Sequence, residues 1–407
     1  MKNTFRKGLI LLMVLCLLVP LFGMSVLAEN TEELPIDYQF KNVDVKGTGG
    51  AQALAAGMTN DPYSSRQWGM KMIGMEAAWQ SGLTGAGVRV AVIDSGVSTQ
   101  TGDFESSRLL AGKNLEDPDQ PTDDTLGHGT FVAGIIGASK DNGVGIAGVA
   151  PGVTIVPIKT SSDGKTPDGV SAQAIYAAVD EFHVDVINYS SGSRALMTGV
   201  KDAVQYAVSK GVIVVCSTGN DGTDALYYPG ALQDTIGVGS ISKSMEVSSF
   251  SQHNRSIFVT APGDSITSLG TDNSVREANG TSYAAPFVSG LAALLKEAHP
   301  EMNTDDFRAI LKASCIDLGD AGYDEYYGYG LIQAHEAIRA AAEYFGTTAP
   351  DMPEIPVPTP DPSPEPTPDP GSEQSIWEQL FNFSWLRELF QNIIRSIFKG
   401  WSPNLTF

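Results

Sequence analysis

The chain of 407 residues predicts a three-layer α/β fold, a mostly parallel sheet held between helices, with an amphipathic helix at the C-terminal end. Three observations carry the prediction. Between residues 66 and 347, short β-branched runs alternate with segments of helical period, the pattern of a parallel sheet with crossover helices. Those runs are nearly continuously apolar, as strands covered on both faces must be. A hydrophobic content of 42% against 18% charged residues supplies enough apolar surface for one large core.

The elements follow in order. Lys2, Arg6 and Lys7 precede an apolar run from Leu9 to Phe22, and Val26-Leu27-Ala28 offers small residues for cleavage, so residues 1–28 read as a signal peptide. Pro20 and Gly23 interrupt the run, which argues against a spanning anchor. Residues 29–65 are polar and show no period, and read as a short N-terminal extension or propeptide. Strands are expected at 88–93, 154–158, 184–188, 212–216, 235–238 and 257–259. Helices are expected at 130–139, 171–182, 198–210, 283–298, 304–313 and 332–344. Residues 348–373 repeat Pro with Asp or Glu; this composition favours a stiff, extended linker. In residues 374–407 apolar side chains from Ile376 to Trp401 recur at three- and four-residue spacing, the signature of the amphipathic tail helix. Glu378, Arg387, Glu388, Arg395 and Lys399 break its apolar face, so it is expected to lie on a membrane surface or a protein partner rather than to span a bilayer.

The net charge of −21 argues against nucleic acid, whose phosphates need a basic surface, and fits an extracellular protein. Beyond the leader only Cys216 and Cys315 remain, too few for a disulfide framework; both read as small buried hydrophobes. His183, His253, His299 and His335 have no evident partners and read as surface or element-end residues.

Ligands of parallel sheets bind beyond the carboxyl ends of the strands, so the residues just past the strands are the ones to inspect. Val-Ala-Val-Ile-Asp94-Ser-Gly closes an apolar strand on a carboxylate, which is costly to bury without a hydrogen-bonded task. Gly-His128-Gly-Thr and Asn-Gly-Thr-Ser282-Tyr-Ala-Ala-Pro each open a helix, where free N–H groups favour developing negative charge. Asn220 follows another strand end and offers a side-chain amide. Singly, Asp94 is a turn residue, His128 a helix-start or core histidine and Ser282 a cap. Together a weak nucleophile, an imidazole base, an orienting carboxylate and an oxyanion donor are the parts that acyl transfer requires. The Gly143–Gly148 stretch spells GxGxxG but follows a helix, so it is no dinucleotide fingerprint. The surroundings of Ser282 lack the GxSxG of lipases.

The order Asp…His…Ser, with DSG, GHGTxVAGxIG and NGTSxAxP, resembles the subtilisin-like serine peptidases over about residues 66–345. The resemblance implies that Asp94, His128 and Ser282 form the triad and Asn220 holds the oxyanion, without a catalytic cofactor. It implies polypeptide substrates, gripped as an added strand by Ser190-Ser191-Gly192 and by Ser217-Thr218-Gly219. Ser191 replaces the family's usual leucine, making that wall more polar. Tyr227 stands where the family has a small residue at the floor of the specificity pocket, and implies a preference for small side chains. Family members also hold structural Ca²⁺; Asp103 and Asn142 match ligand positions, and oxygen ligands suit that cation. Secreted relatives carry a prodomain of some 70–80 residues that helps folding and blocks the cleft, whereas only residues 29 to about 65 are available here. The sequence thus reads as a secreted serine endopeptidase with a monomeric peptidase domain. The rival is a catalytically weak or inactive surface-binding protein that uses the tail helix; the presence of all four catalytic parts disfavours it.

Overall fold

The computed structural model describes residues 35–43 and 58–361. The chain divides into two units, residues 1–242 with 246–358, and residues 243–245 with 359–407. In the smaller unit, the described part shows one backbone bond, from Asp361 N–H to Lys243 O. The proposed signal peptide and tail helix lie outside the described residues.

In the larger unit seven strands form a parallel sheet: β2 (Arg89–Asp94), β3 (Lys113–Asn114), β4 (Thr154–Lys159), β5 (Val186–Tyr189), β6 (Ile213–Ser217), β7 (Ile236–Ile241) and β8 (Val259–Pro262). Their order is β3-β4-β2-β5-β6-β7-β8, and every pairing is parallel. β5, β6, β7 and β8 are buried at every position, which fits their mostly apolar sequences; each also buries one polar residue, Asn188, Ser217, Ser240 or Thr260.

Short helices α1 (Trp68–Met72) and α2 (Met75–Ala78) precede the sheet. One of its faces is covered by α4 (Asp168–Asp180) and α5 (Thr198–Ser209), whose Ala174, Ile175, Ala178, Val200, Ala203 and Val204 pack on Ala91, Ile93, Val156 and Val214. Two further helices, α3 (His128–Gly137) and α6 (Thr281–Ala298), pack on each other; α6 also packs on β5 to β8. All of α3 is buried, and α6 is buried from Thr281 through Lys296. α7 (Thr304–Ser314) and α8 (Ala334–Tyr344) complete the described helices. α7 opens with a capping box in which the Asn303 side chain accepts from Asp305 N and Asp306 N.

The three layers agree with the sequence, with boundaries shifted by a few residues. A small antiparallel sheet is new. Its strands are β1 (Lys41–Asn42), β9 (Ile266–Leu269) and β10 (Val275–Ala278), in the order β1-β10-β9. β9 is wholly buried although it carries Thr267 and Ser268, because the Ser268 hydroxyl donates to Phe131 O at 2.7 Å. His299 and His335 do stand at element ends but are buried; His299 stacks on Phe345 with ring centroids 4.5 Å apart. The first residues of the Pro-rich stretch lie against α8: Met352 is buried, and Arg339 donates to Met352 O and pairs with Glu354. Among the described residues no helix is long and apolar enough to cross a membrane.

Candidate active site

The carboxyl ends of β2, β5 and β6 and the first turns of α3 and α6 converge on one cleft. Asp94 ends β2, and its two oxygens lie 2.8 and 2.9 Å from His128 Nδ1. Gly129 lets helix and strand approach this closely: a Cβ there would fall 2.2 Å from Gly96 O and 3.0 Å from Asp94 Cβ.

The start of α3 is organised by Asp124, which sequence reasoning missed. Its carboxylate accepts from Gly127 N at 2.8 Å, Thr130 N at 2.9 Å and the Ser95 hydroxyl at 2.9 Å. It caps a helix whose own N-cap is a glycine with no side chain to offer. Such an Asp four residues before His128 is a legible capping signal, masked here by the neighbouring Asp123. Burial alone would pull the His128 imidazole down. Asp94, its hydrogen bond, Asp37 and Asp124 outweigh that and push it up to about 9.

Ser282 lies in the first turn of α6, next to Asn220. The Asn220 Oδ1 accepts from Thr281 N and from the Thr281 hydroxyl, both at 2.8 Å, and so caps the helix. Its amide Nδ2 is thereby turned outward over the cleft. Pro286, inside α6, has no N–H to give Ser282 O. The Ser190 hydroxyl supplies that bond instead at 2.8 Å, while the Ser282 hydroxyl is 2.9 Å from Ser190 O. One proline thus ties the serine's turn to the end of β5.

A cleft of 410 Å³ opens beside Ser282, with Ser190, Ser191, Gly192, Ser217, Gly219, Asn220 and Tyr227 among its walls. Thr218 does not line it: the residue is fully buried and its hydroxyl donates to Val238 O at 3.0 Å. The Tyr227 ring lines the cleft so close to Gly219 that a Cβ there would meet it at 3.0 Å.

The cleft is not empty. Residues 35–38, expected to be part of a short N-terminal extension or propeptide, line the same cavity. Asp37 Oδ2 lies 2.9 Å from Ser282 Oγ, 3.1 Å from Asn220 Nδ2 and 3.8 Å from His128 Nε2. The Tyr38 ring stacks on His128 at 4.9 Å. His128 Nε2 is buried without a hydrogen-bond partner. No periodicity marks this segment, because its contacts are made with residues some 90 to 250 positions away.

Asp103 and Asn142 also come together. Asp103 is fully buried; burial pushes its carboxyl up to about 7, against the opposing bonds from Ile146 N and Asn142 Nδ2. Asn142 Nδ2 donates to Asp103 Oδ1 at 2.8 Å, and its own Oδ1 accepts from Val144 N. A desolvated carboxylate and an amide, brought together from two loops, are donor chemistry that suits a hard cation. Among the described residues no three acidic, His or Cys side chains cluster as a metal centre. Cys216 is buried and Cys315 partly buried; neither is in a disulfide.

A three-layer parallel α/β domain that brings an Asp–His pair and a helix-start serine to one cleft defines a serine hydrolase. Residues 85–330 match the Subtilase family; the chain belongs to that family and is a serine-type endopeptidase. It is 35% identical over 274 residues to Subtilisin BL of Lederbergia lenta, covering 67% of this chain and 98% of that protein. It is 38% identical over 244 residues to the Major intracellular serine protease of Bacillus subtilis (strain 168), covering 57% and 76%. With the Minor extracellular protease Epr of the same organism it shares 34% identity over 293 residues, 70% of this chain but only 44% of that protein. Among solved structures, a protease of Pseudoalteromonas arctica superposes with a TM-score of 0.62 at 28% identity, covering 70% of this chain and 99% of that one.

Proposed function

We propose that the protein is a secreted endopeptidase in which Ser282 is the nucleophile, His128 the base and then the acid, Asp94 the orienting carboxylate and Asn220 the oxyanion donor. The observation that carries this is the double approach of Asp94 to His128 Nδ1, with the Ser282 hydroxyl and the Asn220 amide both meeting Asp37 Oδ2, which lies 3.8 Å from the other ring nitrogen. A proton held on Nδ1 by Asp94 leaves Nε2 free to take the Ser282 proton. The alkoxide attacks the scissile carbonyl; its oxygen becomes an anion that the Asn220 amide and the Ser282 backbone N–H stabilise. His128 returns the proton to the leaving amine, and water repeats the sequence on the acyl-enzyme.

Substrates are polypeptides, held extended along Ser190-Ser191-Gly192 and Ser217-Thr218-Gly219, with Thr218 contributing backbone only. Tyr227 shortens the specificity pocket and selects small side chains. Asp103 and Asn142 would hold a structural Ca²⁺, which stabilises the loop and takes no part in catalysis. The leader-like N-terminus and the extracellular relative support secretion. The tail helix retains the enzyme at a membrane surface or on a protein partner. A peptide library tests the core of this reading: the active enzyme should cleave after small residues, and Ser282→Ala should lose at least about 10³-fold in kcat. Full activity in Ser282→Ala refutes the mechanism; efficient cleavage after Phe or Leu refutes the pocket.

A further inference from the structure

We propose that the Tyr283 hydroxyl is a substrate-binding group: it donates a hydrogen bond to the first backbone carbonyl beyond the scissile bond and so holds the leaving segment of the peptide. The inference rests on the reading of Ser282, His128 and Asn220 just given, and adds a residue to that site.

Tyr283 follows Ser282 in the first turn of α6 and is fully buried. Its ring lies 4.3 Å from the Phe131 ring and 5.4 Å from the His128 ring, centroid to centroid. Both of those rings belong to α3, which packs on α6, so the phenol is held rigidly beside the base. A donor fixed in place loses little entropy when it takes up an acceptor. Here the acceptor is the backbone carbonyl of Asp37, from a distant part of the chain. Among the described residues the hydroxyl bonds to nothing else. A peptide that takes the place of this segment must supply an acceptor of its own, or leave a buried donor unpaired.

Asp37 shows which substrate atom that acceptor is. Its Oδ2 lies 2.9 Å from Ser282 Oγ and 3.1 Å from Asn220 Nδ2, so the carboxylate stands in for the scissile carbonyl group. Three covalent bonds separate its carboxyl carbon from its backbone carbonyl carbon. In a peptide the same number separates the scissile carbonyl carbon from the carbonyl carbon of the next residue, and also from that of the preceding one. The next residue is the one beside His128, because the leaving nitrogen must lie at Nε2 to receive its proton. Tyr283 flanks that ring, whereas Ser190, Ser191, Gly192, Ser217 and Gly219 wall the other part of the cleft. After Asp37 the chain runs the same way, with Tyr38 stacked on His128 at 4.9 Å and Phe40 on Phe131 at 5.6 Å.

The bond orients the leaving residue. When the tetrahedral intermediate collapses, the carbon–nitrogen bond breaks, its electron pair stays on nitrogen, and the proton on His128 Nε2 goes to that nitrogen. Anchoring the carbonyl that follows fixes the nitrogen over the ring, and rate depends steeply on such placement. The phenol itself gives up no proton, because burial pushes it well above the ordinary phenol range. It acts as a neutral donor throughout the cycle.

The test compares two substrates on the full-length chain, with thermal melts to show that each variant is folded. Both carry acetyl-tetra-alanine. In one the leaving group is leucinamide; in the other it is isoamylamine, which keeps the leucine side chain and lacks the carboxamide. The two amines differ in basicity, and both substrates compete with residues 35–38 for the cleft. Those terms are common to every variant, so the change in the ratio of kcat/KM values is what is read. Tyr283→Phe, which removes the hydroxyl alone, should lower the leucinamide-to-isoamylamine ratio at least about fivefold, the factor a neutral hydrogen bond contributes. Tyr283→Met, a flexible apolar replacement, should lower it similarly and keeps the test open if the phenylalanine variant does not fold. A folded variant that keeps the wild-type ratio overturns the proposal. Ser282→Ala separates the two readings. If it cleaves either substrate like wild type, the assignment of the nucleophile fails and the proposal with it. If it is inactive while wild type and the Tyr283 variants share one ratio, the nucleophile stands and the role of Tyr283 falls.

Discussion

His128 is the residue on which most of the chemistry turns. Its ring meets carboxylates from three elements: Asp94 at the end of β2, Asp124 before α3 and Asp37 in the N-terminal segment. The Tyr38 and Tyr283 rings cover it; burial pushes both phenols up, so they stay neutral. With Asp37 in the cleft, an imidazole raised to about 9 is protonated at neutral pH and cannot take the Ser282 proton. The ordinary value is about 6.5, so the ion pairing stabilises fully below that and is lost as pH rises through about 9. Fluorophosphonate labelling of the full-length chain should therefore climb through about pH 9. In Asp37→Asn the limb should move to lower pH, since one of three anionic neighbours has gone. Identical limbs near pH 6.5 in both proteins would contradict this account. Asp94, His128 and Ser282 were legible because each sits in a short motif fixed by local geometry. Asp37 was not, because nothing within 30 residues of it explains a half-buried carboxylate.

At the scale of elements, helix starts carry the site. α3 borrows its cap from Asp124, and α6 borrows its cap from Asn220 and its missing proline bond from Ser190. Capping and positioning are the same set of bonds, so the reading of Ser282 as a helix-start residue and as a nucleophile agree. The 140s loop is a second case. Asp61 accepts from Asp141 N, Asn142 N and Gly143 N, and aligns the loop beneath Asp103. If Ca²⁺ sits there, hundredfold excess over its dissociation constant adds about 2.7 kcal/mol. A chelator should then lower the melting temperature by roughly 5 °C. Asp103→Asn should remove that sensitivity; an unchanged melt in wild type with chelator argues against calcium. The spacing of Asp103 and Asn142 was readable. The amide-to-carboxylate bond between them was not, because an amide's orientation is set by the loop that surrounds it.

At the scale of the molecule, the proposed export and surface retention rest on the leader-like start and on the apolar periodicity of residues 374–407. Deleting residues 374–407 should leave peptide cleavage unchanged and reduce retention on liposomes or cells. Equal retention of the full and shortened chains would discard the anchoring role.

The amino-acid sequence by itself determined the layers, the strand-end placement of the site and the family, because buried parallel strands and helix-start motifs are local patterns. Asp94, His128, Asn220 and Ser282 were all found that way. Only the tertiary structure decided what those residues touch. It closed the small sheet with a strand from the N-terminus, withdrew the Thr218 side chain from the cleft and brought Asp37 to Ser282. Each of these depends on contacts between distant parts of the chain, which carry no periodic signal and are chosen only when the whole core has packed.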